Sequence, residues 1–316
     1  MERPQKNVGL ALSIFLLIGL SYEFAGATTI EITNFADFPA YPYNTAAYMD
    51  SGAYVGCGPT TGAMILGYFE NKYGFTNLLT DPTPAGANQG LATAWVLHSS
   101  AYLDTHPDGL GDIYNVRPGM EGYVASRGPE VIGGQAASYS LDVMIHVGPT
   151  YDATHPGSWA GAPDGYNSYG PFGDAWTNDA TFYAQNASGG WYIDDTAFYT
   201  QTSAWLSAGI PVWLTIDQDA TYGGDHWVPM VKVDDAGHYY YYDTYSGTLQ
   251  SANIAYLSEY GYGGTHAISA VRTVSLAAVI SGGGGEVPVP EPSTLLIVAS
   301  GFATWGAMAW RRRRRG

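Results

Sequence analysis

The chain has 316 residues, with 28 acidic and 12 basic side chains, 26 tyrosines, 41 glycines and a single cysteine. Seven basic residues but only three acidic ones lie outside residues 28–289, which leaves the body with five bases and 25 acids. Such a surface repels nucleic acid, so we exclude nucleic-acid binding, and one cysteine excludes an intramolecular disulfide.

The N-terminus has the three parts of a secretory signal peptide. Arg3 and Lys6 precede an apolar stretch from Val8 to Leu20, and Ala25-Gly26-Ala27 supplies a small-residue cleavage site. The apolar stretch is shorter than the roughly 20 residues of a membrane-spanning helix. We therefore expect residues 1–27 to be removed and the mature protein to lie outside the cytoplasm.

The body, residues 28–280, begins with a predicted strand in "ATTIEITNF". A helix is predicted from Pro59 to about Lys72, because proline suits the first helical turn and apolar residues follow at helical spacing. Cys57 then lies at or next to the N-cap. A second helix is predicted over residues 90–104, and the Gly/Tyr-rich stretch at about 108–190 is predicted to be an irregular insertion.

Regular structure is predicted again in the second half of the body. Residues 195–207 read as a helix with Gly209 as its C-cap, and Pro211 to Ile216 as a strand. Two further strands are joined by residues 234–237, whose Asp-Asp-Ala-Gly sequence is typical of a hairpin loop. Helices followed by an antiparallel sheet indicate an α+β domain.

The C-terminus combines a linker, an apolar run and a basic tail. Residues 281–289 form the Gly/Pro linker, residues 295–310 are apolar, and five arginines follow at 311–315. The apolar run predicts a short transmembrane helix whose arginine tail stays on the cytoplasmic side.

Pro290-Glu291-Pro292, this helix and the arginines together resemble the PEP-CTERM sorting signal of Gram-negative bacteria, over residues 290–316. The resemblance implies exosortase as a processing partner at the inner membrane. It also implies anchoring through the helix before processing, and delivery to the cell surface or extracellular matrix.

Cys57 is the candidate nucleophile. A thiol attacks as the thiolate, which a helix N-terminus and a histidinium both favour. The flanking glycines in "GCGP" permit a tight turn and a close approach of a substrate carbonyl. The alternative is a buried structural thiol.

His226 is the candidate base, because it begins a predicted strand directly after the flexible "YGGD". Asp243 ends the next strand, and the loop length brings both outer ends of the hairpin within about two residues of register. We therefore expect Asp243 to orient the imidazole. The alternative for His226 is a structural histidine at a sheet edge, and Asp234 and Asp235 are assigned to the turn.

Three blocks of the sequence resemble the papain-like cysteine peptidases related to bacteriocin-processing peptidases. The blocks are "GCGPTTGAMILGYF", "LSAGIPVWLTID" and "DHWVPMVKVDDAGHYYYYDTYSG". The resemblance implies a papain-like fold in which a helix carrying Cys57 packs on an antiparallel sheet carrying His226 and Asp243. It implies the roles of nucleophile, general base and orienting residue, and a peptide or protein substrate.

One position departs from this family. Its members usually have a glutamine before the cysteine that helps to form the oxyanion hole, and "YPYNTAAYMDSGAYVG" contains none. Asn44 or Ser51 are candidate replacements, together with the Cys57 backbone N–H. Loss of an oxyanion donor lowers the rate by about a hundredfold or more.

Three functions are therefore open: an exported cysteine peptidase, a non-catalytic matrix or adhesion protein on a papain-like scaffold, and an acyl transferase that uses a thioester. No cofactor is expected, because the histidines lack zinc-site spacing. Asp217, Asp219 and Asp225 lack the ordered spacing of a calcium loop, so no metal is expected either.

Overall fold

The structure of the chain is a computed structural model. It describes residues 27–43, 49–50, 53–80, 88–103, 116–132, 135–146, 175–177, 183–185, 191–217, 226–254 and 267–281. Within these ranges the chain is α+β, as the sequence predicts, with four α-helices and a nine-stranded sheet. None of the helices in these ranges is long and apolar enough to cross a membrane, and the predicted signal peptide and span 295–310 lie outside them.

The helices are α1 (Cys57–Tyr73), α2 (Gln89–His98), α3 (Val116–Ser126) and α4 (Asp195–Ser207). Asn88 caps α2 through a 2.8 Å bond from the Leu91 N–H, and Asp194 caps α4 through a 2.8 Å bond from the Ala197 N–H. These side chains satisfy N–H groups that have no partner inside the helix.

The strands are β1 (Thr29–Glu31), β2 (Met49–Asp50), β3 (Ala53–Tyr54), β4 (Glu130–Ile132), β5 (Gln135–His146), β6 (Ala175–Thr177), β7 (Tyr183–Gln185), β8 (Trp191–Ile193), β9 (Val212–Asp217), β10 (His226–Asp234), β11 (His238–Tyr242), β12 (Leu249–Asn253) and β13 (Ala267–Ser281). The main sheet has the order β12-β11-β10-β9-β13-β5-β4, with β1 paired to β10 and β6 to β5. All pairs are antiparallel except β5 with β6. The pairs β2–β3 and β7–β8 stand apart from it.

Helix α1 lies in the core of the domain. Every residue from Cys57 to Phe69 is buried, which is typical of a helix covered on all sides. The helix packs against α2 and β10. Its C-terminus is closed by Gly74 at φ 70°, whose left-handed conformation suits glycine. The core helix therefore carries the single cysteine at its first residue, against the strand that begins with His226.

The predicted second helix is too long. Helix α2 ends at His98, because Ser99 takes an extended conformation with ψ 157°. The Ser99 hydroxyl donates a 2.8 Å bond to the Val96 carbonyl, and the Leu103 N–H bonds the Leu97 carbonyl at 3.0 Å. Local bonds of this kind compete with continued helix, so residues 100–103 form a turn instead.

The predicted insertion at 108–190 contains more regular structure than expected. It includes α3, β4 and the twelve-residue strand β5, which pairs with β13 through eleven residue pairs. The residues Ala137, Tyr139, Leu141 and Val143 are buried, while Ser138 and Ser140 are exposed. This alternation is that of a strand with one face on the core.

Candidate functional site

Cys57 is the first residue of α1 and is only 3% exposed. The preceding Gly56 has φ 90° and ψ 161°, a conformation that side chains disfavour, and it offers no side-chain cap. The thiol therefore sits at the positive end of a core helix, whose first N–H groups are not capped by the N-cap residue.

His226 is the first residue of β10 and is 3% exposed. Its strand pairs with β9 through the partner residue Ile216. On the other side, the β10–β11 ladder of the described hairpin runs between Met230–Tyr241 and Val233–Tyr239, with a bulge between Met230 and Lys232. The imidazole thus lies at the open end of the hairpin, beyond the last pair with β11.

Asp243 directly follows β11 at the same end of the hairpin. Its Oδ1 lies 3.0 Å from Nε2 of His226. The backbone N–H of Tyr245 donates to Oδ1 at 3.2 Å, and the backbone N–H of Ser246 donates to Oδ2 at 3.1 Å. The Ser246 hydroxyl adds a 2.5 Å bond to Oδ2. The carboxylate is therefore fixed by its own turn before it meets the histidine.

The site favours a protonated imidazole. Burial lowers the pKa of His226, but hydrogen bonds to Asp243 and to the Cys57 side chain outweigh burial and raise it to about 9 from 6.5. Because Asp243 occupies Nε2, Nδ1 is the ring nitrogen that remains for the Cys57 thiol. The three side chains predicted from the sequence are thus brought together as a chain from thiol to imidazole to carboxylate.

The pKa of Asp243 moves in the opposite direction. Burial raises it, but the bonds from His226, Ser246 and Tyr245 outweigh burial and lower it to about 2. The carboxylate stays ionised next to a histidine that stays protonated. This is the electrostatic pattern of an oriented acid–base pair.

Ser246 and the N–H of Tyr245 were not predicted as partners of the carboxylate. A signal for them exists, because an aspartate followed by serine three residues later at a strand end is typical of a turn closed by the aspartate side chain. By contrast, Asp234 is the last residue of β10 rather than part of the turn, and its side chain closes that turn by accepting from the Ala236 and His238 N–H groups at 3.1 and 2.9 Å.

The two candidate oxyanion residues, Asn44 and Ser51, lie outside the described residues. The described segment before them does reach the site: the Tyr43 N–H bonds the Thr244 carbonyl at 2.9 Å. The Tyr43 ring also meets Tyr245 edge-on at 5.4 Å. Residues just before position 44 are therefore held against the loop that carries Asp243.

No group of three or more His, Cys, Asp or Glu side chains suited to a metal ion occurs within the described ranges. Asp217 ends β9 and is fully buried, whereas Asp219 and Asp225 lie outside the described residues.

Residues 288–314 match the PEP-CTERM protein-sorting motif, which includes Pro290-Glu291-Pro292. The motif implies an exported protein with exosortase as its processing partner, anchored in the membrane before it reaches the cell surface. No curated protein and no solved structure matches the chain. The family match therefore supports the sorting signal alone. For the chemistry of the body, the support is the geometry of its side chains.

Proposed function

We propose that the protein is an exported cysteine peptidase in which Cys57 is the nucleophile, His226 the general base and Asp243 the residue that orients it. The observation that carries the proposal is the continuous contact from the Cys57 side chain to His226 and on to Asp243, 3.0 Å from the ring. Structural cysteines need neither a helix N-terminus nor a histidine held by a carboxylate.

The reaction follows from these groups. His226 starts the reaction as the imidazolium, already holding the proton of the Cys57 thiol, and the sulfur attacks the peptide carbonyl carbon. His226 returns the proton to the leaving amine as the C–N bond breaks, which leaves a thioester on Cys57. Water then attacks the thioester with His226 as base, releasing the acid and restoring the thiol. Asp243 keeps the imidazole in the required orientation throughout.

The oxyanion has the fewest identified hydrogen-bond donors of any group in this mechanism. Gly56 carries no side chain to cap α1, so the first N–H groups of the helix, on Cys57 and Gly58, are the donors nearest to the sulfur along the chain. Asn44 or Ser51 remain the proposed second donor in place of the glutamine that the sequence lacks. With the weaker set, we expect a slower enzyme than one with a glutamine.

The arrangement supports a papain-like origin. Its elements occur in the order helix with cysteine, strand with histidine, and following strand with aspartate, and the helix packs on the strand. The predicted Gly/Tyr-rich segment would line the substrate cleft, and its residues 147–174 lie outside the described residues. The proposed substrate is a peptide or protein met outside the inner membrane.

A non-catalytic matrix or adhesion protein is the second candidate. Two observations favour it: the missing glutamine, and the 3% exposure of Cys57, which limits access of a substrate to the sulfur. An acyl transferase shares the thioester and differs only in the acceptor that attacks it.

Cleavage of a peptide library by the purified full chain, beside Cys57→Ser, separates these functions. A peptidase gives pairs of products whose summed mass exceeds that of the substrate by one water. Cys57→Ser gives no such products. A transferase gives products joined to an added amine. If the wild type and Cys57→Ser both leave every peptide unchanged, the matrix or adhesion function is the one that remains.

A further inference from the structure

We infer that the main-chain carbonyl of Trp227, with the hydroxyls of Thr61 and Thr244, is the element that sets the relative position of Cys57, His226 and Asp243. The inference rests on the proposed function, since it assigns positioning residues to that site. Thr61 and Thr244 are positioning residues rather than catalytic ones, because they act through the elements that carry the three side chains.

The carbonyl oxygen of Trp227 accepts two hydrogen bonds from distant parts of the chain. The Thr61 hydroxyl donates to it at 2.9 Å, and the Thr244 hydroxyl donates at 3.3 Å. Both threonines are fully buried. A carbonyl has two lone pairs, so this one oxygen has its full set of donors.

We call Thr61, Trp227 and Thr244 the Trp227 junction. Each of these residues lies close to one member of the site. Trp227 directly follows His226, and Thr244 directly follows Asp243. Thr61 lies four residues after Cys57, one turn further along α1 and on the same face. One oxygen therefore connects helix α1, strand β10 and the turn after β11. Each connection lies within one residue or one helical turn of a reacting group.

The position of the junction explains why side chains are needed there. Met230–Tyr241 is the last β10–β11 pair of the described hairpin towards His226. A carbonyl beyond that pair has no β11 partner, and it carries a desolvation cost if it is buried without a donor. The two hydroxyls replace the missing strand partner and at the same time connect α1 to the hairpin.

The indole of Trp227 is fixed as well. The Arg272 guanidinium lies 4.6 Å from its ring centroid, and Trp213 packs edge-on at 5.8 Å. Trp213 and Arg272 are themselves buried partners in the β9–β13 pair. The residue that offers the carbonyl is therefore anchored in the centre of the sheet, so the threonines have a stationary acceptor.

The test replaces each hydroxyl by a methyl group of the same shape, in Thr61→Val and Thr244→Val, with Thr61→Ser as the conservative variant. We expect kcat for peptide cleavage, and the iodoacetamide labelling rate of Cys57 at pH 7, to fall about tenfold in each valine variant. Thr61→Ser retains the donor and should restore most of both rates, while KM changes little.

Thr202→Val is the matched control. Thr202 is equally buried and donates to the Phe198 carbonyl at 2.7 Å inside α4. It should lower the melting temperature like Thr61→Val and leave labelling and kcat unchanged. If Thr61→Val and Thr202→Val behave alike in every assay, the threonines are only structural and the inference is overturned.

Failure of the proposed function gives a different result. In that case the wild-type chain cleaves no peptide, and Cys57 labelling is as slow as in His226→Ala. Fast wild-type labelling that does not change in Thr61→Val and Thr244→Val overturns the positioning role alone.

Discussion

His226 and Asp243 meet at 3.0 Å although they begin and end a hairpin whose ladder stops well short of them. The contact is made because β10 extends past its last pair with β11, while the chain after β11 turns back at Asp243. The turn holds the carboxylate through the N–H groups of Tyr245 and Ser246. The open end of the hairpin thus holds a carboxylate, fixed by its own turn, against the imidazole.

The first prediction concerns the labelling of Cys57. At pH 7, iodoacetamide should modify the native thiol faster than a free cysteine, and His226→Ala should slow labelling by about tenfold, because the imidazolium that favours the thiolate is lost. Mass spectrometry of the modified peptide measures the rate. His238→Ala, on the same hairpin, is the control and should label like the wild type.

The second prediction concerns stability and pH. The raised pKa of His226 means that its contribution is complete below about pH 6.5 and disappears as pH rises through about 9. The lowered pKa of Asp243 means that its contribution is complete above pH 3.8 and disappears as pH falls through about 2. The pair therefore stabilises the fold most between about pH 4 and 6.5.

Asp243→Asn tests this linkage by urea unfolding. At pH 6 the variant should be less stable by about 1–2 kcal/mol, since a charge-assisted bond becomes a neutral one. Between pH 6 and 9.5 it should lose less stability than the wild type, because its histidine is no longer held protonated by the carboxylate. Parallel pH profiles for the two proteins would contradict the ion pair.

The third prediction compares two glycine substitutions. Gly209 follows α4 with φ 71°, and a Cβ there would collide with the Lys72 ammonium and approach the Tyr68 hydroxyl. Gly209→Ala should therefore destabilise the fold by about 1–2 kcal/mol. Gly122 is an exposed residue inside α3 with open space around it, so Gly122→Ala should stabilise by about 0.5–1 kcal/mol. Thermal unfolding of both variants gives the comparison, and equal shifts would refute it.

The fourth prediction concerns the sorting motif at residues 288–314. Replacing Pro290, Glu291 and Pro292 by alanine should stop processing, so that the chain keeps its full C-terminal mass and stays in the membrane fraction. Immunoblots of membrane and medium fractions measure this. Glu286→Ala, before the matched residues, should be processed normally. Release of the triple variant at the wild-type rate would show that the tripeptide is not read.

The parts of the fold that were predictable are those encoded locally. Pro59 marks the first turn of α1, Gly209 marks the end of α4, and the Asp-Asp-Ala-Gly loop marks the hairpin. In the structure α4 ends at Ser207 as predicted, whereas α1 starts at Cys57, two residues before the predicted Pro59. The strand and loop lengths predicted that His226 and Asp243 approach each other within about two residues of register, since a hairpin leaves few registers.

The parts that were not predictable depend on distant contacts. Helix α3 contains Pro118 and Gly119, which read as helix breakers, yet a Cβ at Gly119 would lie 2.5 Å from the Tyr102 carbonyl oxygen. The glycine is needed for that close approach rather than for a turn. Strand β5 gains its partner β13 from the far end of the body, and no local signal identifies such a pairing.

The Trp227 junction could not be predicted from the sequence either. No sequence motif distinguishes Thr61, Trp227 and Thr244. Only the folded chain brings the two threonine hydroxyls to one carbonyl. Side-chain bonds to main-chain acceptors carry no periodic pattern, unlike helix faces or strand faces.

Strand β13 lies between β9 and β5 in the main sheet, although it is the last described strand of the chain. Until it arrives, β9 and β5 each present an unpaired edge, and the sheet consists of two separate halves. A chain exported from its N-terminus therefore delivers β9 and β5 before the strand that joins them. The two halves of the sheet cannot join until this last described strand has followed them.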